Sequence, residues 1–469
     1  VYFDRRMIKI FLLGAVSGFP WVIIGSSLSL WLREDGLSRS TVGWAGLIFA
    51  VYAFNYLWAP IIDRVRIPLL TNKIGHRRSW IMLMQTIILI CLVCWSLINP
   101  TVNLTLVVGI GLIIAIASAT QDITVDALRI EQIGEHEGRS MAAGAAMVVV
   151  GWWSGYKLGG VVALFTAEFF QNIGIVNYWQ STFLILGILV VLMNIGLMFI
   201  HEDNSKKKIN EINKTQFQLY KKIDNYIGGY NNFILLWIRK MTAWISSTIS
   251  GPVISFFKKN GFSIAIGILG FIFLFKIGEA FLGRMSIIFY KEIGFSKGDI
   301  AIYSKTLGWV TTVIFTLLGG LLAIRSGTIK TMFVAGILMA TTNLLFSVLA
   351  LSEKSELLFA FAVIADDIAA AFATVAFVAF ISLLVDRTYT ATQYALLASI
   401  GTAGRTIMAS SSGALVDSLE NGAIINLKYK FINLGSISIP SFENPWAVFF
   451  VITAIMVIPS LICLWLIKD

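Results

Sequence analysis

Residues 105–129 have the sequence TLVVGIGLIIAIASATQDITVDALR, an apolar run with polar residues in its second part. A helix needs about 20 predominantly apolar residues to cross the hydrocarbon core of a bilayer, so this run is long enough. It holds Asp122 and Asp126, and ionisable groups in hydrocarbon cost at least about 2.5–3.5 kcal/mol each. Such groups usually face a cavity or a partner, so the run predicts a membrane helix with a functional polar side.

The composition extends this interpretation to the whole chain. Of the 469 residues, 57% are hydrophobic and 13% are charged, and the mean hydropathy is +0.81. Average soluble domains are about a quarter charged, and a single soluble core stops growing at roughly 250–300 residues. The chain is therefore predicted to be an all-α membrane protein.

The apolar blocks predict twelve transmembrane helices, at 8–32, 41–62, 80–98, 105–129, 140–166, 181–200, 262–288, 300–323, 330–350, 357–385, 392–416 and 445–467. The even number places both termini on one side. If that side is the cytoplasm, it carries roughly threefold more Lys and Arg than the other, as the positive-inside rule expects. The net charge of +10 thus reflects topology, and we expect no nucleic-acid partner.

Residues 201–260 divide the spans six and six, which predicts helical domains at 1–200 and 261–469. The first part of this cytoplasmic linker is polar and rich in Lys, and 233–259 is apolar but interrupted by two basic residues and a proline. This pattern favours an interfacial helix on the cytoplasmic leaflet, with its basic residues near anionic lipid. A disordered linker is the alternative.

The two halves contain similar motifs. Gly36-Leu37-Ser38-Arg39 opens the second span, and Gly294-Phe295-Ser296-Lys297 opens the eighth. In each half an arginine before a span is followed eighteen residues later by an intramembrane cation, which is Lys157 in the fifth span and Arg405 in the eleventh. Shared offsets of this kind predict two pseudo-symmetric six-helix halves, as in transporters built from parallel repeats.

The fourth span carries the acidic candidates. Asp122 and Asp126 are four residues apart and share one helix face. Arg129 lies on that face too, so Asp126 is either half of a structural ion pair or a functional group. Asp122 lies deeper, beside Gln121, and is the better functional candidate.

The fifth span carries a small-residue stripe of Gly151, Gly155 and Gly159, which suits close helix contact. Lys157 projects about 200° from Gly155 around the helix, so it is expected to point toward a cavity.

Charged residues in the spans of the second half are also candidate functional residues. Lys276 and Glu279 are three residues apart and can pair within their helix. Asp366 and Asp367 are adjacent, so only one can face the cavity squarely. Together with Arg405 they lie in the seventh, tenth and eleventh spans. The third, sixth and twelfth spans carry no Asp, Glu, Lys or Arg, and the ninth carries only Lys330, at its first position.

The end of the second span and the turn after it resemble the conserved cytoplasmic loop motif of the major facilitator superfamily, with a longer spacer. The residues are LWAPIIDR (57–64) and GHRRSW (75–80). Asp63 and Arg64 at the helix end, with Arg77 and Arg78 in the cationic turn, are predicted to form a breakable latch between helices. Plain positive-inside anchoring is the alternative.

Five further stretches resemble AmpG-type muropeptide permeases, the first of them also acetyl-coenzyme A transporters. They are ATQDITVDA (119–127), GYKLG (155–159), FKIGEAF (275–281), SKTLG (304–308) and ATQYALL (391–397). The family pattern has Arg where Lys157 stands, which keeps the cation but loses the forked guanidinium. The resemblance covers nearly all spans but not the linker or the outer loop at 417–444.

The resemblance implies the major facilitator fold and a monomeric importer in the bacterial cytoplasmic membrane. It implies proton-driven uptake of peptidoglycan fragments, namely anhydro-muramyl sugars with or without peptide, with no cofactor beyond the proton gradient. Candidate substrate-binding residues are Lys157, Arg405, Lys276, Gln121, Trp152, Trp153 and Tyr156, although the aromatic residues could equally be packing or interface residues. Candidate proton carriers are Asp122, Asp126, Glu279, Asp366 and Asp367.

Other functions remain open at this point. A different anionic solute, such as a siderophore or acetyl-coenzyme A, fits the same fold. A receptor or scaffold fits poorly, because its many intramembrane charges would cost stability without a use. An enzyme is not expected, since the sequence has no HExxH motif and no nucleophile elbow. The three His lie in polar loops, so no metal site is expected.

Overall fold

A computed structural model of the chain describes residues 1–37, 45–134, 136–202, 214, 217–218, 220–222, 224–225, 233–295, 308–409, 411–429 and 432–467. The chain forms two compact units. The first comprises Val1–Gly261 and Ile381–Ser399, and the second comprises Phe262–Phe380 and Ile400–Asp469. The boundary after residue 261 lies next to the predicted end of the linker, whereas the grouping of Ile381–Ser399 with the first unit does not follow from the sequence.

Side-chain contacts explain why Ile381–Ser399 joins the first unit. Arg129 Nη2 donates a hydrogen bond to Ser382 Oγ at 2.8 Å. Arg387 donates to the carbonyl oxygen of Ile130 and, at 2.7 Å, to that of Ile133. These carbonyls lie at the C-terminal end of the fourth-span helix, where backbone oxygens lack partners within the helix.

The helices, in chain order, are Arg5–Trp21, Leu28–Glu34, Val51–Phe54, Ala59–Arg64, Leu70–Ile74, His76–Ser96, Leu104–Glu131, Gly138–Asn172, Tyr178–Met198, Phe233–Asn260, Phe262–Leu274, Ile277–Glu292, Gly308–Ser326, Thr328–Leu351, Glu356–Leu384, Thr390–Ala409, Ser412–Asn421, Pro445–Ile455 and Ile458–Leu466. A π-helical turn, Val22–Ser27, follows Pro20, and 3-10 turns occur at Gly46–Ala50 and Asn55–Leu57.

Nine helices of the described residues are long and apolar enough to cross a membrane, and they coincide with nine predicted spans. The second and eighth predicted spans lie partly outside the described residues, and their described parts contain the shorter apolar helices Ile48–Leu57 and Val310–Ser326. The eleventh span is the helix Thr390–Ala409, which is rich in small and polar residues. The linker contains the helix Phe233–Asn260, named the linker helix below; its position in the membrane interface stays a prediction.

The predicted glycine stripe of the fifth span packs directly against the first span. A Cβ atom added to Gly151 or Gly155 would lie 2.2 Å from a backbone oxygen of the first-span helix. Gly14 and Gly18 make the reverse approach, because a Cβ there would lie 2.3 and 2.1 Å from backbone oxygens of the fifth-span helix. The two backbones therefore touch, and the predicted close helix contact is confirmed.

This contact makes Gly155→Val destabilising. The added side chain would overlap the Ala15 backbone, and overpacking costs typically about 1–3 kcal/mol. Gly160→Val is the matched control, because a Cβ at Gly160 on the same helix meets nothing within 4 Å. Thermal unfolding of the two purified variants in detergent should show a lower midpoint for Gly155→Val alone. Equal midpoints would contradict the contact.

Equivalent contacts support the predicted internal repeat. Trp179, at the start of the sixth span, donates from its indole nitrogen to Glu34 at the end of the first, at 2.6 Å. Trp446, at the start of the twelfth span, donates in the same way to Glu292 at the end of the seventh, at 2.7 Å. The same interaction therefore occurs once in each unit.

The backbone has the same conformation at the glycine that opens each of the two similar motifs. Gly36 has φ of 91° and Gly294 has φ of 94°, a left-handed conformation that glycine adopts without a steric penalty. Each glycine ends the first helical span of its half. Leu37 and Phe295 come next and belong to the described part of the chain, whereas the last two residues of each motif lie outside it.

The outer segment at 417–444, which is predicted as a loop, contains a pair of β-strands. Strands Ala423–Tyr429 and Ile432–Ile439 pair antiparallel, from Ala423 opposite Ile439 to Tyr429 opposite Ile432. This hairpin is an addition to the helical fold.

Candidate functional site

Asp122 lies on the fourth-span helix, and its carboxyl group accepts a hydrogen bond from a hydroxyl group of the first-span helix. Ser17 of the first-span helix donates to Asp122 Oδ1 at 2.6 Å. Within the residues that the structure describes, Asp122 has no ion-pair partner. Its carboxyl group therefore lacks the cation that would fix it in the ionised form, which is the property expected of a group that binds and releases a proton.

Asp126, one turn further on, has the opposite surroundings. Its Oδ1 lies 3.0 Å from Nη2 of Arg129, whose side chain is fully buried. The same guanidinium lies over the ring of Tyr394, 5.8 Å from its centroid. This geometry fits the structural ion pair named as an alternative above, and proton transfer by Asp126 stays a prediction.

Gln121 is fully buried, and its side chain is hydrogen-bonded at both ends. Gln85 Nε2 donates to Gln121 Oε1 at 2.7 Å, and Gln121 Nε2 donates to the carbonyl oxygen of Val16 at 2.6 Å. The residue thus ties the first, third and fourth spans together. The amide thus has protein partners at both ends, and substrate binding by Gln121 stays a prediction.

Four aromatic rings form a cluster beside the fifth span, which we call the aromatic cluster: Trp21, Trp152, Trp153 and Tyr156. The Trp21 and Trp152 centroids are 5.5 Å apart, and Trp152 stacks on Tyr156 at 5.6 Å with an interplanar angle of 25°. Lys157 Nζ lies 5.5 Å from the Tyr156 centroid and 5.8 Å from that of Trp153. As the helical angle predicts, the ammonium group lies away from the glycine contact, and these rings remain partly exposed.

The first-span helix connects Asp122 to the aromatic cluster. Ser17 and Trp21 are four residues apart and so share a face of that helix. Trp21 also packs on Tyr52, with centroids 4.7 Å apart, and the Tyr52 hydroxyl donates to Ser118 of the fourth span at 2.7 Å. Ser17, Trp21 and Tyr52 are absent from the residues singled out from the sequence, because no spacing rule links them to Asp122.

Lys276 and Glu279 form an ion pair in the second unit. Lys276 Nζ lies 3.1 Å from Glu279 Oε2 and donates to Thr374 Oγ1 at 2.9 Å. Lys276 occupies the break between the helices Phe262–Leu274 and Ile277–Glu292 and is buried. The pair within one helix turn, expected from the spacing, is present.

Other charged candidates of the second unit lie close to this pair. Arg405 and Asp366 both interact electrostatically with Lys276, and Asp367 interacts with Asp366. Thr342 donates to Asp366 Oδ1 at 3.4 Å, a long hydrogen bond. Arg405 donates weakly to Thr402 at 3.4 Å, and among the described residues it has no carboxylate in ion-pair range. Arg405 therefore keeps its charge available for an anion.

Asp63 binds the N-terminus of the eleventh-span helix, Thr390–Ala409. Its carboxylate accepts hydrogen bonds from the backbone amides of Ala391 and Thr392, at 3.1 and 2.7 Å. It also accepts from Arg77 Nη2 at 2.6 Å, and Arg77 lies 3.0 Å from Glu131. Amides at a helix start lack partners within the helix and attract negative charge. We call this contact, formed by Asp63, Arg77 and residues 391–392, the latch.

The other two predicted latch residues have different partners. Arg64 donates to the Trp244 carbonyl oxygen of the linker helix at 2.9 Å and lies over the Trp244 ring. Arg78 donates to the carbonyl oxygen of Met198 at 3.0 Å. Each is one residue away from a latch residue on a helix, so its side chain points elsewhere, and its part in a latch stays a prediction.

Glu202 binds the backbone of the helix start that carries Arg77, and it is not among the residues singled out from the sequence. Its carboxylate accepts from the backbone amides of His76, Arg77 and Arg78, at 3.0, 3.0 and 3.1 Å. It thereby caps the third-span helix that carries Arg77. Burial raises the pKa of Glu202, because desolvation disfavours its charged form.

Comparison with known proteins agrees with this architecture. Residues 10–304 match the family model of the Major Facilitator Superfamily. A Rickettsia conorii protein that carries the name AmpG 4 is 31% identical over 465 residues, covering 99% of this chain and 97% of that protein. The anhydromuropeptide permease of Escherichia coli K12 is 25% identical over 418 residues, covering 89% of this chain and 75% of that protein.

A solved structure shares the fold. The proton:xylose symporter XylE, bound to 6-bromo-6-deoxy-D-glucose, superposes with a TM-score of 0.63 at 13% identity, covering 99% of this chain and 95% of that one. The predicted fold of twelve transmembrane helices in two halves is thus confirmed. The chain belongs to the major facilitator superfamily of membrane transporters, in its AmpG-type branch.

Proposed function

We propose that this transporter imports anionic peptidoglycan-derived muropeptides across the bacterial cytoplasmic membrane, driven by protons, through alternating access. The observation that carries the proposal is found in one unit. Asp122 has no cationic partner among the described residues, and the same unit holds an aromatic cluster that ends in Lys157. The first group suits proton coupling, and the second suits an anionic sugar.

The aromatic cluster matches the chemistry of a muropeptide. Aromatic faces pack on the apolar faces of sugar rings, and Trp153 and Tyr156 are partly exposed. Lys157 supplies positive charge for a lactyl or peptide carboxylate of the ligand. Arg405 is the candidate cation of the second unit. The printed name of the Escherichia coli relative, anhydromuropeptide permease, supports this substrate class.

Proton coupling is assigned to Asp122, with Glu279 and Asp366 as candidates in the second unit. Glu279 shares its charge with Lys276 at 3.1 Å, so its protonation would release that lysine for substrate. Orientation follows from the basic residues, which favour cytoplasmic termini. We further propose that one chain is sufficient for transport.

Uptake into liposomes tests the function. The protein is reconstituted, an inward proton gradient is imposed, and uptake of labelled anhydromuropeptide is compared with that of labelled acetyl-coenzyme A and a siderophore. Gradient-dependent uptake of the muropeptide is expected, whereas uptake of either other solute instead would replace the proposed substrate. Uptake that is equal with and without the gradient would contradict proton coupling.

Lys157 provides a variant pair for the same assay. Lys157→Gln should lower muropeptide uptake about tenfold or more, because a charge-assisted contact is worth about 1.5–3 kcal/mol. Lys157→Arg should retain uptake, since the charge is kept. Equal uptake by wild type and Lys157→Gln would remove Lys157 from the binding site.

A further inference from the structure

The linker helix is attached to the turn that precedes the eleventh-span helix. Ser255 Oγ donates to the carboxylate of Asp386, and Gln393 Nε2 donates to the carbonyl oxygen of Pro252 at 2.8 Å. A Cβ added to Gly251 would lie 2.7 Å from the hydroxyl oxygen of Tyr389, so the helix approaches the turn closely. All of these residues belong to the first unit.

A cavity of about 590 Å³ lies between the linker helix and this turn. Its size is in the range of small-molecule sites, which is about 300–1,000 Å³. The polar groups that matter for a ligand are Lys222, Lys258, Lys259, Ser255, Thr388 and Tyr389. Asp386 lines it as well.

The cavity is positively charged. Its described lining has three ammonium groups and one carboxylate. The carboxylate of Asp386 already accepts hydrogen bonds from the Ser255 hydroxyl and, at 2.8 Å, from the Thr388 amide. Neither Lys222 nor Lys258 has an ion-pair partner in the described ranges of the chain. Two cations therefore face a cavity without a matching negative charge.

The linker helix also presents an apolar stripe. Trp237, Met241, Ile245, Ile249 and Val253 recur every four residues, and between 40% and 59% of each is exposed. A helix with an exposed apolar stripe and clustered lysines is the pattern of helices that lie in the membrane interface and attract anionic headgroups. The cavity is lined by residues of this same helix, including Lys258 and Lys259.

We propose that this cavity binds a phosphate group, with Lys222, Lys258 and Lys259 as its cations, and that the phosphate comes from an anionic phospholipid. Lys259 is already oriented, because its Nζ donates to the carbonyl oxygen of Val385 at 3.2 Å. The bound group would join the linker helix to the turn at 386–389. This site is separate from the aromatic cluster and does not depend on the transported solute.

Binding of fluorescent phosphatidylglycerol to the full-length protein in neutral detergent tests the proposal. Lys222→Gln/Lys258→Gln should weaken binding about tenfold or more, since each basic residue contributes measurably to anionic-lipid attraction. Lys221→Gln/Lys240→Gln is the matched control, because it removes two charges nearby without touching the cavity. Lys222→Arg/Lys258→Arg should bind as the wild type does.

The arms of the experiment separate the two sources of phosphate. If soluble glycerol phosphate displaces the lipid, with one molecule bound per protein, the phosphate site is supported. The proposed ligand is then a soluble phosphate and not a lipid. If glycerol phosphate does not compete, and Lys222→Gln/Lys258→Gln still weakens lipid binding, the result supports a lipid as the source of the phosphate. Equal weakening in both glutamine pairs, or no saturable binding in the wild type, would overturn the site. Unfolding midpoints of the variants show whether lost binding reflects lost structure.

Discussion

Asp122→Asn is expected to reduce proton-driven uptake to the level of protein-free liposomes, while exchange of labelled for unlabelled solute continues at a reduced rate. An asparagine carbonyl can still accept the Ser17 hydroxyl, which lies 2.6 Å from Asp122 in the wild type, so local packing is kept. The amide cannot bind a proton, so a transport cycle that protonates this group stops. Exchange needs no net proton movement and therefore survives.

Two variants make this result specific. Asp122→Glu restores a carboxyl group and should recover part of the uptake. Asp417→Asn removes an exposed carboxylate far along the chain and should transport like the wild type. Wild-type uptake by Asp122→Asn would contradict the assignment, and an equal loss of uptake and exchange would point to a folding defect instead of lost coupling.

Helix geometry made some features of the site predictable. The glycine stripe of the fifth span contacts another backbone, as small residues at a spacing of four suggest. Because Lys157 projects about 200° from Gly155, it was expected outside that contact, and it lies beside Trp153 and Tyr156. Such predictions succeed because they concern neighbours on one helix, whose relative direction is fixed by the helical repeat.

The helical repeat also explains why two neighbouring candidates, Gln121 and Asp122, have different partners. Gln121 is adjacent to Asp122 in sequence, yet consecutive residues point about 100° apart on a helix. Asp122 therefore reaches Ser17, whereas Gln121 faces Gln85 in the bundle interior. Adjacent residues of one helix therefore have different surroundings, and substrate binding by Gln121 stays a prediction.

Contacts between distant segments could not be predicted from one sequence. Glu202 caps a helix that begins at His76, 126 residues earlier. Asp63 meets Thr392 at a separation of 329 residues. The resemblance to the major facilitator loop motif suggested a latch but not its partner, because no local spacing rule connects the second span to the eleventh.

Asp63→Asn is expected to open the latch and to lower transport about tenfold. In the wild type its carboxylate accepts the amides of Ala391 and Thr392 and is paired with Arg77, and hydrogen bonds to a charged group contribute about 1.5–3 kcal/mol each. Asparagine keeps one acceptor oxygen but loses the charge that the helix N-terminus and Arg77 both favour. The start of the eleventh-span helix should therefore detach more often.

Cysteine labelling measures that detachment directly. Ala391→Cys is introduced after the three native cysteines are replaced, and its reaction with a water-soluble maleimide is followed. Ala391 is fully buried, so labelling should be slow with Asp63 present and about tenfold faster in Asp63→Asn. Arg64→Gln serves as the control, because Arg64 contacts the linker helix and its loss should leave the labelling rate unchanged.

The labelling result also separates the latch from plain topological anchoring. Positive-inside anchoring depends on the basic residues of this turn, and acidic residues contribute little to it. Asp63→Asn leaves every one of those basic residues in place, so an anchoring motif predicts unchanged labelling and unchanged transport. A latch predicts that the loss of this one carboxylate speeds labelling of Cys at position 391 and slows transport. The reason is that the charge of Asp63 holds the N-terminus of the eleventh-span helix, whereas the net charge of the loop does not.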